Sequence, residues 1–238
     1  MNQIPLAIGL RERAVFESFI AGPNEVAVAQ LQAVARGQVS GVYWLSGLSG
    51  VGKSHLLQAT CALARSTDAV YLSLPQLMQF GPESLDGWHN ARVVAIDDAA
   101  IVCGDRHWEQ ALFGLYREVE ERRASLLLAA RTPPQGLTFS LPDLASRFSA
   151  ATLLTLRALD EGAQREALRT RALARGLELP EDTMLYLQRR FRRDLSTLYE
   201  LLDAIDDAAL RAQRRLTVPF IREVLAHHPL HDPGNEPG

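Results

Sequence analysis

Short apolar runs alternate with amphipathic stretches through the first two thirds of the chain, and after that only amphipathic stretches remain. Val42-Tyr43-Trp44-Leu45, Ala69-Val70-Tyr71-Leu72-Ser73-Leu74, Val93-Val94-Ala95-Ile96, Leu126-Leu127-Leu128-Ala129-Ala130 and Ala151-Thr152-Leu153-Leu154-Thr155-Leu156 are four to six residues long. Runs of that length predict strands rather than helices. Between them the spacing predicts helices from about Glu25 to Arg36, from His55 onward, from His107 to Arg123 and over Leu141 to Phe148. In the third of these, Trp108, Leu112, Leu115, Tyr116 and Val119 form one apolar stripe that reads as core. Strands that alternate with helices require crossover connections, hence a parallel sheet covered on both faces. Residues 11–157 are expected to form this α/β domain.

From Asp160 onward no strand pattern remains. Helical segments run from Asp160 to Arg175, Pro180 to Phe191 and Asp194 to Arg215, and a last one starts at Thr217, its cap, with Pro219 in the first turn. Residues 158–226 are therefore expected to be a small all-α domain. Pro5 and Gly9 oppose a helix, so residues 1–10 read as an extended tail. Residues 227–238 are expected to be disordered, with His227, His228 and His231 solvated rather than holding a metal.

One stretch between a predicted strand and a predicted helix carries chemistry. Gly47-Leu48-Ser49-Gly50-Val51-Gly52-Lys53-Ser54 is a complete G-x-x-x-x-G-K-[ST] phosphate-binding loop in the strand–loop–helix setting that the motif needs. Its glycines let backbone N–H groups turn around phosphate oxygens at a helix N-terminus. Lys53 would reach the outer phosphates, and the Ser54 hydroxyl would ligate Mg²⁺. The third strand ends in Asp97-Asp98. Placed after such a loop, paired carboxylates suit Mg²⁺ held through its water shell by Asp97 and an attacking water oriented by Asp98.

Composition sharpens this. Of the 25 basic residues Lys53 is the only lysine, so an ammonium is kept at the one place where a compact charge must fit among phosphates. A guanine-binding N/T-K-x-D motif would need a second lysine and is excluded. The chain has 238 residues, 47% of them apolar, with a net charge of −3, which is ordinary for a globular protein and argues against a strongly basic nucleic-acid surface. Cys61 and Cys103 read as reduced thiols of a cytoplasmic protein, and no membrane segment is visible.

Four stretches together resemble the AAA+ proteins of the DnaA clade and, more narrowly, the Hda family within it. They are Phe16-x-x-Phe19-x-x-Gly22-x-Asn24, Gly50 to Leu57, Leu141-Pro142-Asp143-Leu144-Ala145-Ser146-Arg147, and Arg214 to Phe220. The resemblance spans roughly residues 3 to 225. It implies a five-stranded sheet of order 5-1-4-3-2 followed by a helical lid, and ADP or ATP with Mg²⁺ as ligand. Phe19, Gly22 and Asn24 would line the adenine pocket beside Gly47, Gly50, Val51, Gly52, Lys53, Ser54 and His55. Arg147 would be an arginine finger, entering a neighbouring protomer's γ-phosphate site. Gln3-Ile4-Pro5-Leu6, with Ile8, stands where the family docks on the β subunit sliding clamp of DNA polymerase III. The activity implied is clamp-tethered stimulation of ATP hydrolysis by the initiator DnaA, preventing re-initiation, with DNA met mainly through the clamp, no membrane contact, and self-association left open.

Two positions depart from that pattern. Arg131 stands where a sensor aspartate is usual, and Ser196 where a sensor arginine is, with Arg192 and Arg193 about one helical turn away. Both changes imply weak intrinsic ATPase in a protein that promotes hydrolysis in a partner. Only about a dozen residues follow the lid, so a helix-turn-helix DNA reader is not expected. Two alternatives remain open. A helicase-loader-like ATPase would want basic and aromatic residues along a single-strand groove. A small-molecule kinase is disfavoured by a lid placed after the fifth strand.

Overall fold

The computed structural model describes residues 14–64, 68–174, 177, 179–190, 198, 201–202, 204–205, 208 and 218–226. Five strands form one sheet: β1 (Gly41–Ser46), β2 (Ala69–Ser73), β3 (Val93–Asp97), β4 (Ser125–Ala130) and β5 (Thr152–Thr155). Every pairing is parallel, and the order β2-β3-β4-β1-β5 is the expected 5-1-4-3-2 counted from the other edge. Every residue of β3 and β4 is buried, which is why these strands are unbroken apolar runs. Edge strand β5 exposes all but Leu154.

Helix α1 (Glu25–Ala35) precedes β1, and the crossovers carry α2 (Lys53–Leu63), a single-turn α3 (Leu74–Leu77), α4 (Arg106–Glu121) and α5 (Pro142–Ser149). Leu74 was expected in the second strand but begins α3 instead, because Pro75 in the first turn starts a helix and cannot donate to a sheet. The stretch that follows, which has no clear periodicity, is a series of 3₁₀ turns at Met78–Phe80, Pro82–Leu85 and Trp88–Asn90. On one face Trp44, Ile96, Leu112, Leu115, Leu128, Leu144 and Phe148 pack together, so α4 and α5 share this core. Trp44 and Phe148 have ring centroids 5.5 Å apart, and Trp44 Nε1 donates to Thr132 O at 3.0 Å. One arginine closes the other end of two helices. The Arg92 guanidinium donates to Val34 O (3.2 Å), Ala35 O (2.7 Å) and Ala64 O (3.5 Å), capping the C-termini of α1 and α2 with positive charge.

The chain divides into two compact units, one of residues 1–19, 24–47 and 53–156, the other of 20–23, 48–52 and 157–238. In the second, α6 (Glu161–Ala174), α7 (Glu181–Arg190) and α8 (Val218–Ala226) bury Leu168, Leu187, Phe220 and Ile221 together with Leu198, Leu201 and Ile205. Asp160 accepts the Ala163 N–H at 2.8 Å and so opens α6. Arg165 and Arg169 approach Glu181 at 3.5 and 3.8 Å, and the Arg222 guanidinium lies 5.2 Å from the Tyr186 ring centroid. The Thr217 cap, most of the helix expected over Asp194 to Arg215, and the tails at 1–10 and 227–238 lie outside the described residues. No described helix is long and apolar enough to cross a membrane.

Candidate functional site

The loop between β1 and α2 bends where its glycines allow. Gly50 (φ +75°) and Gly52 (φ +97°) adopt left-handed backbone that a residue with a Cβ would resist. Val51 and the exposed Ser54 flank them. Lys53 opens α2, is only 8% exposed, and donates from Nζ to Gly47 O at 2.8 Å. Burial holds its pKa below the ordinary lysine value; Asp97 and Asp98 oppose this, and Arg131 adds to it. Four charges thus converge within electrostatic reach, Arg131 among them, at the end of β4 where the family resemblance expects an acid.

Asp97 ends β3 and is 4% exposed. Its Oδ1 accepts the Asp98 N–H at 3.0 Å, and its Oδ2 accepts the Tyr71 hydroxyl at 2.6 Å. Asp98 keeps part of its surface in solvent and has φ +56° and ψ +40°, a left-handed conformation that is uncommon outside glycine, asparagine and aspartate and recurs at functional sites. Burial and Asp97 push its pKa up, and Lys53 offsets part of that rise. Burial, with the Asp97 charge next, holds the Tyr71 pKa far above the ordinary phenol, so Tyr71 acts as a donor. Sequence reasoning read Tyr71 only as a strand residue. Only the register of the folded sheet brings it to the site: Tyr71 pairs with Ala95, which shares a strand face with Asp97.

His55, one residue after Ser54, turns back to the N-terminal segment. Its Nε2 donates to Val15 O at 2.9 Å, stands 3.4 Å from Ser18 Oγ, and its ring lies 5.5 Å from that of half-buried Phe19. Asn24 is 3% exposed at the start of α1. Gly22 (φ +49°) belongs to the other unit, where a Cβ would meet Leu159 Cδ2 at 2.7 Å. Gln3, Ile4, Leu6, Ile8, Arg192, Arg193 and Ser196 lie outside the described residues.

Arg147 stands apart from all of these. It occupies the last turn of α5 beside a cleft of about 440 Å³ lined by the starts of β1 and β5 and the end of α4. Its Nη1 is 3.9 Å from Glu120 Oε1, and its guanidinium lies 5.8 Å from the Tyr116 ring centroid. The Tyr116 hydroxyl donates to the same Glu120 oxygen at 2.8 Å. Gly41 of that cleft begins β1, whereas the phosphate loop follows Ser46 at its end, and six extended residues span about 20 Å.

The residues present fit a magnesium nucleotide: a left-handed glycine loop before a helix of 11 residues, a buried ammonium, a hydroxyl and two carboxylates, all suited to phosphate or a hard cation. Residues 160–225 match the family model described as the lid domain of Hda. The fold is similar to domain III of the replication initiation protein DnaA from Thermotoga maritima, with 21% identity, a TM-score of 0.76, and 90% of this chain and 96% of that chain covered. It is also similar to AMPPCP-bound DnaA from Aquifex aeolicus (19% identity, TM-score 0.67, coverage 87% and 71%). The Thermotoga maritima RuvB Holliday junction branch migration motor is a further relative in fold (17% identity, TM-score 0.63, coverage 86% and 68%).

Proposed function

We propose, for a DnaA-related AAA+ protein whose lid belongs to the Hda family, a regulatory role in which it binds adenine nucleotide and stimulates ATP hydrolysis by the initiator DnaA. The observation that carries this reading is the placement of Arg147 at the opposite end of the sheet from Lys53. An arginine so far from its own phosphate loop cannot serve it, but at the rim of a cleft it can enter the site of another molecule. There its fixed charge would stabilise the negative charge that develops on the transferred phosphoryl group.

The chain's own residues then divide the work. Gly50, Gly52 and Lys53 would bind phosphate, Ser54 and Asp97 would hold Mg²⁺, directly or through its water, and Phe19, Asn24 and His55 are assigned to the adenine side. Bound Mg²⁺ supplies charge neutralisation between the phosphates. Asp98 is the group available to orient water, but Arg131 stands beside Lys53 in place of an acid. Intrinsic turnover is therefore expected below about 1 s⁻¹, the low edge of ordinary enzymes. The N-terminal Gln3-Ile4-Pro5-Leu6, with Ile8, is assigned to the sliding clamp, which would hold the protein on DNA. A homo-oligomer would use the same Arg147 surface.

The test is ATP hydrolysis by DnaA with DNA-loaded clamp, with and without this protein. Stimulation that falls about 10³-fold or more in Arg147→Ala supports the reading. Undiminished stimulation by that variant removes the finger role. Turnover by this protein alone that rises with single-stranded DNA would favour a helicase loader instead.

A further inference from the structure

Glu109 sits in the first turn of α4, where an acid is ordinarily solvated and favoured by the helix N-terminus. Here it is fully buried. Its carboxylate accepts three backbone N–H groups, from Gly104 (Oε1, 2.6 Å), Ser140 (Oε1, 3.0 Å) and Leu141 (Oε2, 2.7 Å). Ser140 Oγ closes the tie from the other side by donating to Gly104 O at 2.7 Å. Leu141 is the residue before α5 and offers no side-chain cap of its own, so the cap of α5 comes from another element. The same oxygen that takes the Ser140 N–H also holds Gly104.

That shared oxygen joins two segments with different tasks. Upstream, a succession of turns runs from the carboxylates of β3: Ile101 N–H to Asp98 O (3.0 Å), Cys103 N–H to Ala100 O (3.2 Å), Asp105 N–H to Val102 O (3.1 Å) and Glu109 N–H to Asp105 O (2.9 Å). Downstream, α5 begins at Pro142, is anchored by buried Leu144 and Phe148, and carries Arg147 in its last turn. Eight helical residues are about 12 Å long, enough to carry a shift from one side of the sheet toward the other.

We propose that Glu109 is a positioning residue that couples the Asp97-Asp98 end of β3 to the helix of Arg147, so that occupancy of the nucleotide site sets where that guanidinium stands. The proposal rests on the nucleotide and finger roles assigned above. Glu109 touches neither nucleotide nor Arg147. It acts by making the loop after Asp98 and the start of α5 one unit, and a carboxylate is needed because a glutamine presents a single acceptor oxygen to three donors.

The experiment is amide hydrogen exchange on the full chain, with and without Mg·ADP or a non-hydrolysable Mg·ATP analogue, alongside measured nucleotide affinity. In the parent, nucleotide should slow exchange over residues 140–148. In Glu109→Gln, affinity should be retained while exchange over 140–148 becomes faster and loses its response. Ser140→Ala, which removes only the bond to Gly104 O, should weaken the response in the same direction, and it decides the matter if Glu109→Gln does not fold. In DnaA stimulation, Glu109→Gln should lower the maximal rate and leave the half-saturating concentration unchanged. A parent without response over 140–148, or variants that keep it, would overturn the coupling. Failure of the finger role reads differently: Arg147→Ala would then stimulate DnaA like the parent while the exchange response of α5 persisted. A parent that binds no nucleotide overturns both.

Discussion

Asp98 holds its proton more tightly than a solvated aspartate, because partial burial and the Asp97 carboxylate disfavour its charge by more than Lys53 restores. A carboxyl whose pKa is higher folded than unfolded makes the folded state bind more protons, so its contribution to stability falls as pH rises from about 3.9 through the folded value. In nucleotide-free and Mg²⁺-free protein, Asp98→Asn should therefore match the parent below that window and exceed it in thermal stability above, the more so as asparagine tolerates the left-handed backbone at this position. Melts from pH 3 to 7 decide it, and parallel profiles would refute it. Tyr71 acts on the neighbouring carboxylate. Its hydroxyl fixes Asp97 Oδ2, and removing such an outer partner typically costs about 10-fold or more in metal affinity. Tyr71→Phe should thus raise the Mg²⁺ concentration needed for nucleotide binding while lowering stability by about 1 kcal/mol. An unchanged Mg²⁺ titration would reduce Tyr71 to a packing residue.

At the scale of elements, Arg92 does work that no local pattern announces. One planar guanidinium meets carbonyls at the ends of two helices, a geometry that a lysine ammonium does not reproduce. Arg92→Lys and Arg92→Met should each cost about 2 kcal/mol in urea unfolding, since charged hydrogen bonds contribute about that much. A lysine variant as stable as the parent would mean the charge alone suffices. The same contrast explains what could be read in the sequence. Strands β3 and β4 were the most legible because fully buried parallel strands are short unbroken apolar runs, and Lys53, Asp97 and Asp98 because their spacing is chemical rather than structural. Leu74 misled because an apolar residue at a strand end looks the same whether it continues the strand or starts a helix. Arg92, Tyr71 and Glu109 were invisible because each meets its partners across elements: 57 residues separate Arg92 from Ala35, 26 separate Tyr71 from Asp97, and 32 separate Glu109 from Leu141. An acid in the first turn of α4 has the sequence signature of an ordinary solvated helix start, and only the fold reveals that it is buried.

On the scale of the whole molecule, the proposed role separates two tasks that different parts of the chain perform. In that role Arg147 would act in the chemical step in a partner, whereas Gln3-Ile4-Pro5-Leu6-Ala7-Ile8 would act in recruitment. For that role Pro5 would favour an extended segment, Ile4, Leu6 and Ile8 would offer apolar anchors, and the Gln3 amide could donate and accept at a polar rim. A tether of this kind works by raising effective concentration, to about millimolar for short flexible linkers, and makes no contact with the reacting phosphate. Gln3→Ala with Leu6→Ala should therefore abolish clamp binding while leaving nucleotide affinity and thermal stability unchanged. Its loss of DnaA stimulation should be recovered as the variant's concentration is raised. Arg147→Ala should behave in the opposite way, binding clamp like the parent yet failing to stimulate at any concentration, because no amount of recruitment supplies the missing charge. A fall in melting temperature in the tail variant would instead assign residues 3–8 to packing on their own domain. Clamp affinity equal to the parent's would remove the docking role, and recovery of Arg147→Ala at high concentration would place that arginine in recruitment rather than in hydrolysis.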